Sequence, residues 1–139
     1  INQLQLSIVH SVMVDSGLNM NMKESWAQDK DGGVLDFCRI NDITIQAWSI
    51  IQASWAEGSF INHPSYKKLN EILQNMTSKY SCTKAAIATA WILRHPAGIQ
   101  AITGTTSPIH LRETIQATNI NLTREEWYKL YLASGKPLP

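Results

Sequence analysis

Apolar and polar residues alternate over residues 2–8, where Leu4, Leu6 and Ile8 interleave with Gln3, Gln5 and Ser7. A second alternation runs over residues 43–48, and a short β-rich run over residues 99–103. Runs of this length predict strands. Between and after them the period changes. Residues 33–41 hold Val34, Leu35, Phe37 and Cys38, then Asn41 and Asp42 as a turn into the second strand. Over residues 66–79, Leu69, Ile72, Leu73 and Met76 fall at i, i+3, i+4 and i+7, one face of a helix. Residues 83–95 form another apolar helical stretch, stopped by Pro96. Ser107 followed by Pro108 is an N-cap with proline at the first helical position, opening a helix to about Thr118. The last helix carries a capping box, Thr123 with Glu126, and a hydrophobic staple, Leu122 with Trp127. Trp127, Leu130 and Tyr131 give it an inward face, and Gly135 suits its exit.

Strands separated by helices predict βαβ units on a parallel sheet, an α/β fold. Two long connections, residues 11–32 and 50–65, are expected as loops of polar, glycine and small residues. Both follow the C-terminal end of a strand, where α/β folds place ligands. Three strands do not close a barrel: a (β/α)8 barrel takes roughly 250 residues, about 30 per βα unit. The chain is therefore expected to supply somewhat under half of one, with an unpaired outer edge on its first and last strands that invites pairing with another copy. No repeat or composition shift divides it, so residues 1–139 read as a single segment. It opens on Ile1 inside a strand-like run, as expected of a fragment, a processed product or a domain freed from a tag.

Charge adds mainly exclusions. Twelve Lys and Arg stand against eleven Asp and Glu in 139 residues, without a run of either sign, which argues against a nucleic-acid partner. No apolar stretch approaches the roughly 18 residues of a membrane span, so no membrane association and a cytoplasmic location are expected. Cys38 and Cys82 stand apart without a His/Cys cluster, predicting buried thiols and no metal site.

Three places hold candidate chemistry. Asn2 and Gln3 open the first strand; their amides suit a carboxamide or carbonyl, or are simply two polar residues on a strand. Trp48 and Ser49 end the second strand. The indole offers a flat face for an aromatic ring, or belongs to the core, and the hydroxyl suits a phosphate oxygen. Gly104, Thr105, Thr106 and Ser107 link the last strand to a capped helix, and such a turn is either a ready anion site or an ordinary βα connection. It matches neither the P-loop nor the dinucleotide glycine fingerprint.

In this order the three places resemble the C-terminal part of the aldo-keto reductase family. Asn2-Gln3 matches the start of its sixth strand. Trp48-Ser49 matches the aromatic-Ser-Pro that ends its seventh, with Ile50 in place of Pro. Gly104-Thr105-Thr106-Ser107-Pro108, through Glu113, matches the turn and helix after its eighth. Ala90-Trp91-Ile92-Leu93-Arg94-His95-Pro96 and Leu122-Thr123-Arg124-Glu125-Glu126-Trp127 look like bacterial members.

The resemblance implies a (β/α)8 TIM barrel, of which this chain would supply about three βα units and a C-terminal helix. It implies NADPH-dependent reduction of a small-molecule carbonyl. The proton-donating Tyr and its Lys, Asp and His partners would lie on the first half of the barrel, so no catalytic residue is expected here. Carried across, Gln3 would hold the nicotinamide carboxamide and Trp48 would stack on its ring. Ser49 would meet the pyrophosphate, and Gly104, Thr105, Thr106 and Ser107 would cradle the adenosine phosphate. Glu113 would sit near the adenine, with Thr114 where the family often has Asn. Many members place Lys at Gly104 and Arg at His110, both for the 2′-phosphate. The expected partners are the missing N-terminal half or another copy of the chain. The alternative is a non-catalytic nucleotide-binding or self-associating half-barrel.

Overall fold

The computed structural model describes residues 1–19 and 22–139. Its centre is a three-stranded parallel sheet in the order β1 (Asn2–Gln5), β2 (Ile45–Trp48), β5 (Gln100–Ala101). The parallel register and the helices between strands are those expected from the alternation. On one face Ile45 and Ala47 are buried beneath the helices. The opposite face carries Gln3, Gln46 and Gln100 side by side in register, with Gln5 and Trp48 one step further.

The strands are shorter than the alternation predicts. β1 stops at Gln5 because the chain turns: Ser7 N–H donates to the His10 carbonyl at 2.9 Å, and Ser7 Oγ donates to the Gln52 carbonyl at 2.7 Å. Neither long connection is a plain loop. Residues 11–32 contain helix α1 (Val12–Asn19), which buries Met13 and Val14. Its start is stabilised by Ser11, whose hydroxyl donates to Asp15 Oδ1 at 2.7 Å. Residues 50–65 contain an antiparallel hairpin, β3 (Gln52–Ser54) and β4 (Gly58–Ser59). Gly58 sits there at φ 73°, a backbone state that favours glycine.

The helices follow the sequence closely: α2 (Val34–Ile40), α3 (Lys67–Tyr80), α4 (Lys84–Leu93), α5 (Pro108–Ile115) and α6 (Arg124–Ala133). The Thr123–Glu126 capping box forms as predicted. Glu126 also joins α6 to α3, accepting from Lys79 Nζ at 2.6 Å and Tyr80 Oη at 2.7 Å. Burial pulls its pKa up, but Lys79, the Thr123 amide and Tyr80 together hold it below the usual value. The core between α4 and α6 is aromatic. Trp91 and Trp127 stack with centroids 4.6 Å apart, and each indole N–H donates to the other residue's carbonyl, at 3.1 and 3.0 Å. Cys38 is buried and Cys82 half-buried, both as free thiols.

Candidate active site at the strand ends

Residues at the carboxyl ends of β2 and β5 enclose a cleft of about 600 Å3. That is the end at which parallel α/β sheets place ligands, because loops there converge on helix N-termini. Ser49, Gly104, Thr105, His110, Glu113 and Thr114 all line it. Residues from three separate sequence stretches thus meet in one space. Thr106 and Ser107 belong to the same turn without lining the cleft, and Gln3 and Trp48 lie on the open face of the sheet beside it.

Each residue is held by local geometry. Ser49 follows the last residue of β2 at φ 56°, an uncommon state for a side-chain-bearing residue. Its carbonyl accepts the Gln52 N–H at 2.9 Å, and its hydroxyl donates to Gln52 Oε1, so the turn directs Ser49 and Gln52 together into the cleft. Thr105 Oγ1 accepts the Ser107 N–H at 3.1 Å, and Ser107 Oγ caps α5 by accepting from the His110 N–H at 3.5 Å. Thr114 donates its hydroxyl to the His110 carbonyl at 2.9 Å, leaving the oxygen able to accept. The Gln3 amide is engaged: its Nε2 donates to Gln46 Oε1 at 2.9 Å, and Gln46 donates onward to Gln100 at 3.0 Å.

Several cleft residues lie outside the sequence-based set. Gln52, Trp55, Ser59 and Ile61 come from the hairpin segment, and Ala85 from α4. Trp55 is 83% exposed at the rim, an unusual position for a large aromatic. The signal for the hairpin was the short alternation at residues 51–53 ahead of Gly58. The larger cavity, about 710 Å3, lies between α1, α2 and α6 and holds none of the predicted residues.

The donor set suits a phosphate, with hydroxyls and the positive end of an eight-residue helix. Among the described residues neither lysine nor arginine lines the cleft; His110 is the one basic residue there and Glu113 the one carboxylate. Nor does any tyrosine among the described residues. A Cβ added at Gly104 would meet nothing within 4 Å. Glycine there is therefore not required by crowding. Among the described residues no helix is long and apolar enough to cross a membrane, and no cluster of three His, Cys, Asp or Glu could hold a metal.

The family model of the Aldo/keto reductase family matches residues 6–131. A 6-dehydroglucose reductase of Agrobacterium fabrum is 30% identical over 105 residues, covering 75% of this chain and 34% of that protein. An NADH-specific methylglyoxal reductase of Escherichia coli is 28% identical over 108 residues, covering 65% of this chain and 33% of that protein. A crystallised thermostable aldo-keto reductase in complex with the inhibitor epalrestat superposes with a TM-score of 0.63 at 25% identity, over 94% of this chain and 38% of that one. The chain thus spans about a third of the length of the curated relatives it matches.

Proposed function

The chain belongs to the aldo/keto reductase family, and from that premise we propose that it forms the cofactor-binding, C-terminal part of a (β/α)8 barrel that reduces a small-molecule carbonyl with NADPH in the cytoplasm. Its partial parallel sheet is part of such a barrel. The observation that carries the reading is the cleft at the ends of β2 and β5, where Ser49, Gly104, Thr105, His110, Glu113 and Thr114 converge.

When bound, the reduced nicotinamide supplies a hydride equivalent. Everything else asked of this chain is binding and orientation. In this reading the Gln3 amide, fixed by Gln46, holds the carboxamide, and the Trp48 indole covers one face of the ring. Ser49 receives the pyrophosphate beside it. The hydroxyls of Thr105, Thr106 and Ser107, with the N-terminus of α5, receive the adenosine phosphate. Glu113 and Thr114 border the adenine. The proton donor is assigned to the part of the barrel beyond these residues, in keeping with a cleft that no tyrosine among the described residues lines.

With no lysine or arginine of the described residues in the cleft, hydroxyls and the helix dipole favour the 2′-phosphate only modestly. NADPH should bind about tenfold tighter than NADH, or about 1.4 kcal/mol. One relative is named for NADH specificity, so the preference is a sharp test. Dissociation constants for both cofactors, read from tryptophan fluorescence, should show that ratio in the parent. Gly104→Lys fits the open space at that position and should widen it about fivefold by pairing with the phosphate, about 1 kcal/mol. An NADH preference, or a ratio untouched by the new cation, would overturn the assignment of this turn to the 2′-phosphate.

A further inference from the structure

Gln3, Gln46 and Gln100 stand opposite one another on β1, β2 and β5, three identical side chains in one row across the open face of the sheet. Neighbouring strands lie about 4.8 Å apart, a spacing at which adjacent amides bond directly. Gln3 Nε2 donates to Gln46 Oε1 at 2.9 Å, and Gln46 Nε2 donates to Gln100 Oε1 at 3.0 Å. Both bonds run the same way, from β1 towards β5. Gln46, in the middle, is half-buried. Trp48 lies two residues beyond it on the same face, about 7 Å further towards the strand end.

A lone glutamine amide turns over at little cost, because its last torsion is broad and roughly two-fold. It then offers a ligand either N–H donors or a carbonyl acceptor. The row removes that freedom. Were Gln3 alone to turn over, its oxygen would face the Gln46 oxygen, and attraction would become repulsion. Turning Gln46 as well would set it against Gln100 in the same way. Bonds in a chain also polarise one another, so donation to Gln46 makes the Gln3 oxygen a better acceptor. A planar amide that aims its nitrogen at Gln46 turns its oxygen away from β2. That oxygen is what Gln3 holds out to a ligand.

We propose that Gln46 and Gln100 are positioning residues that fix the polarity of the Gln3 amide, so that it accepts the NH2 of a primary carboxamide and selects ligands that carry one. On the cofactor reading above, on which this rests, that carboxamide is the nicotinamide's. Gln46 and Gln100 act through Gln3: Gln46 takes its nitrogen, and Gln100 holds Gln46 in the orientation that does so. The selection is between ligands that differ in one group. A carboxamide has an N–H to give to the Gln3 oxygen. A methyl ketone at the same ring position has only an acceptor, and it meets that oxygen acceptor against acceptor.

The test uses the intact chain with two reduced analogues of NADPH. The thionicotinamide form keeps the NH2, and the 3-acetylpyridine form replaces it with methyl. Dissociation constants from tryptophan fluorescence should place the acetylpyridine form about tenfold weaker than the thionicotinamide form. In Gln46→Leu the Gln3 amide can turn over, and that gap should shrink to about twofold. Gln46→Glu keeps an acceptor for Gln3 Nε2 and should restore the gap. A mere tether between β1 and β2 would change stability and leave the gap as it was. Equal affinities for the two analogues in the parent, or a gap untouched in Gln46→Leu, would overturn the proposal. Failure of NADPH itself to bind would instead overturn the cofactor reading, and the row has its own readout in the free chain. By NMR, the side-chain amide hydrogens of Gln3 and Gln46 should exchange severalfold more slowly than those of the exposed Gln116. Exchange at equal rates would show that no such row holds the Gln3 amide.

Discussion

His95 lies just past α4, where its Nδ1 accepts the Ala97 amide hydrogen at 3.2 Å. Only the neutral ring has an acceptor to offer there. Burial lowers its pKa from the ordinary 6.5, and the Arg39 guanidinium presses in the same direction. His10 is lowered as well, by burial and then by Lys136. A depressed histidine binds fewer protons folded than unfolded, so its contribution is present above about pH 6.5 and is lost as pH falls towards the folded value. Urea unfolding at pH 7.5 and 5.5 should therefore show the parent losing more stability than His95→Gln. Equal losses would mean that the ring is already charged when folded. Residues such as Ser107 and Thr105 were legible beforehand because a capping hydroxyl acts on an amide two or three positions away. Lys136 was not, because its partner Ser11 is 125 positions distant.

Among the elements, the β3–β4 hairpin matters most for the site, since Gln52, Trp55 and Ser59 form one wall of the cleft. A buried amide on α3 helps to fasten it from below. Asn70 on α3 accepts the Asn62 N–H at 2.7 Å and donates to the Phe60 and Tyr66 carbonyls at 2.8 and 3.1 Å. Asn70→Leu removes the side-chain partner of three backbone groups at once and should cost about 1–3 kcal/mol. Hydrogen exchange should accelerate at residues 52–62 and stay unchanged in α6, because the loss is confined to one fastening point. Unchanged exchange in the hairpin would show that it is held by its own strand pairing. The helices were easier to read than this segment. α3 declares itself through Leu69, Ile72, Leu73 and Met76, whereas α1 spreads Met13, Val14 and Leu18 around Ser16 and Gly17.

For the molecule as a whole, what stays uncovered is as informative as the core. Among the described residues neither β1 nor β5 has a second neighbouring strand. Phe37 and Ile40 of α2, at 60% and 81% exposure, and Ile109 and Ile115 of α5, at 65% and 54%, leave apolar side chains in solvent on the flanking helices. In a closed barrel further βα units cover such flanks. On the proposed function the proton donor belongs to those units. The 139 residues alone should then oxidise NADPH no faster than the background in the presence of any carbonyl, even at high protein concentration. Measurable turnover would place the acid within this chain and overturn that division of labour.

The sequence by itself determined the features whose partners lie within about one helical turn. These are the Thr123–Glu126 capping box, the Ser107 cap with Pro108 behind it, the apolar face of α3, and the alternation that set three parallel strands between helices. It also brought Ser49 and the Gly104 turn to strand ends, since that follows from element order alone. Only the tertiary structure decided how far each strand runs, that residues 52–59 pair as a hairpin, and that Gln3 spends its amide on Gln46. It alone closed a cleft over Trp55 and folded Lys136 onto Ser11. Each of these depends on atoms many residues apart, whose meeting is set by packing and burial of the whole chain rather than by the preferences of any short stretch.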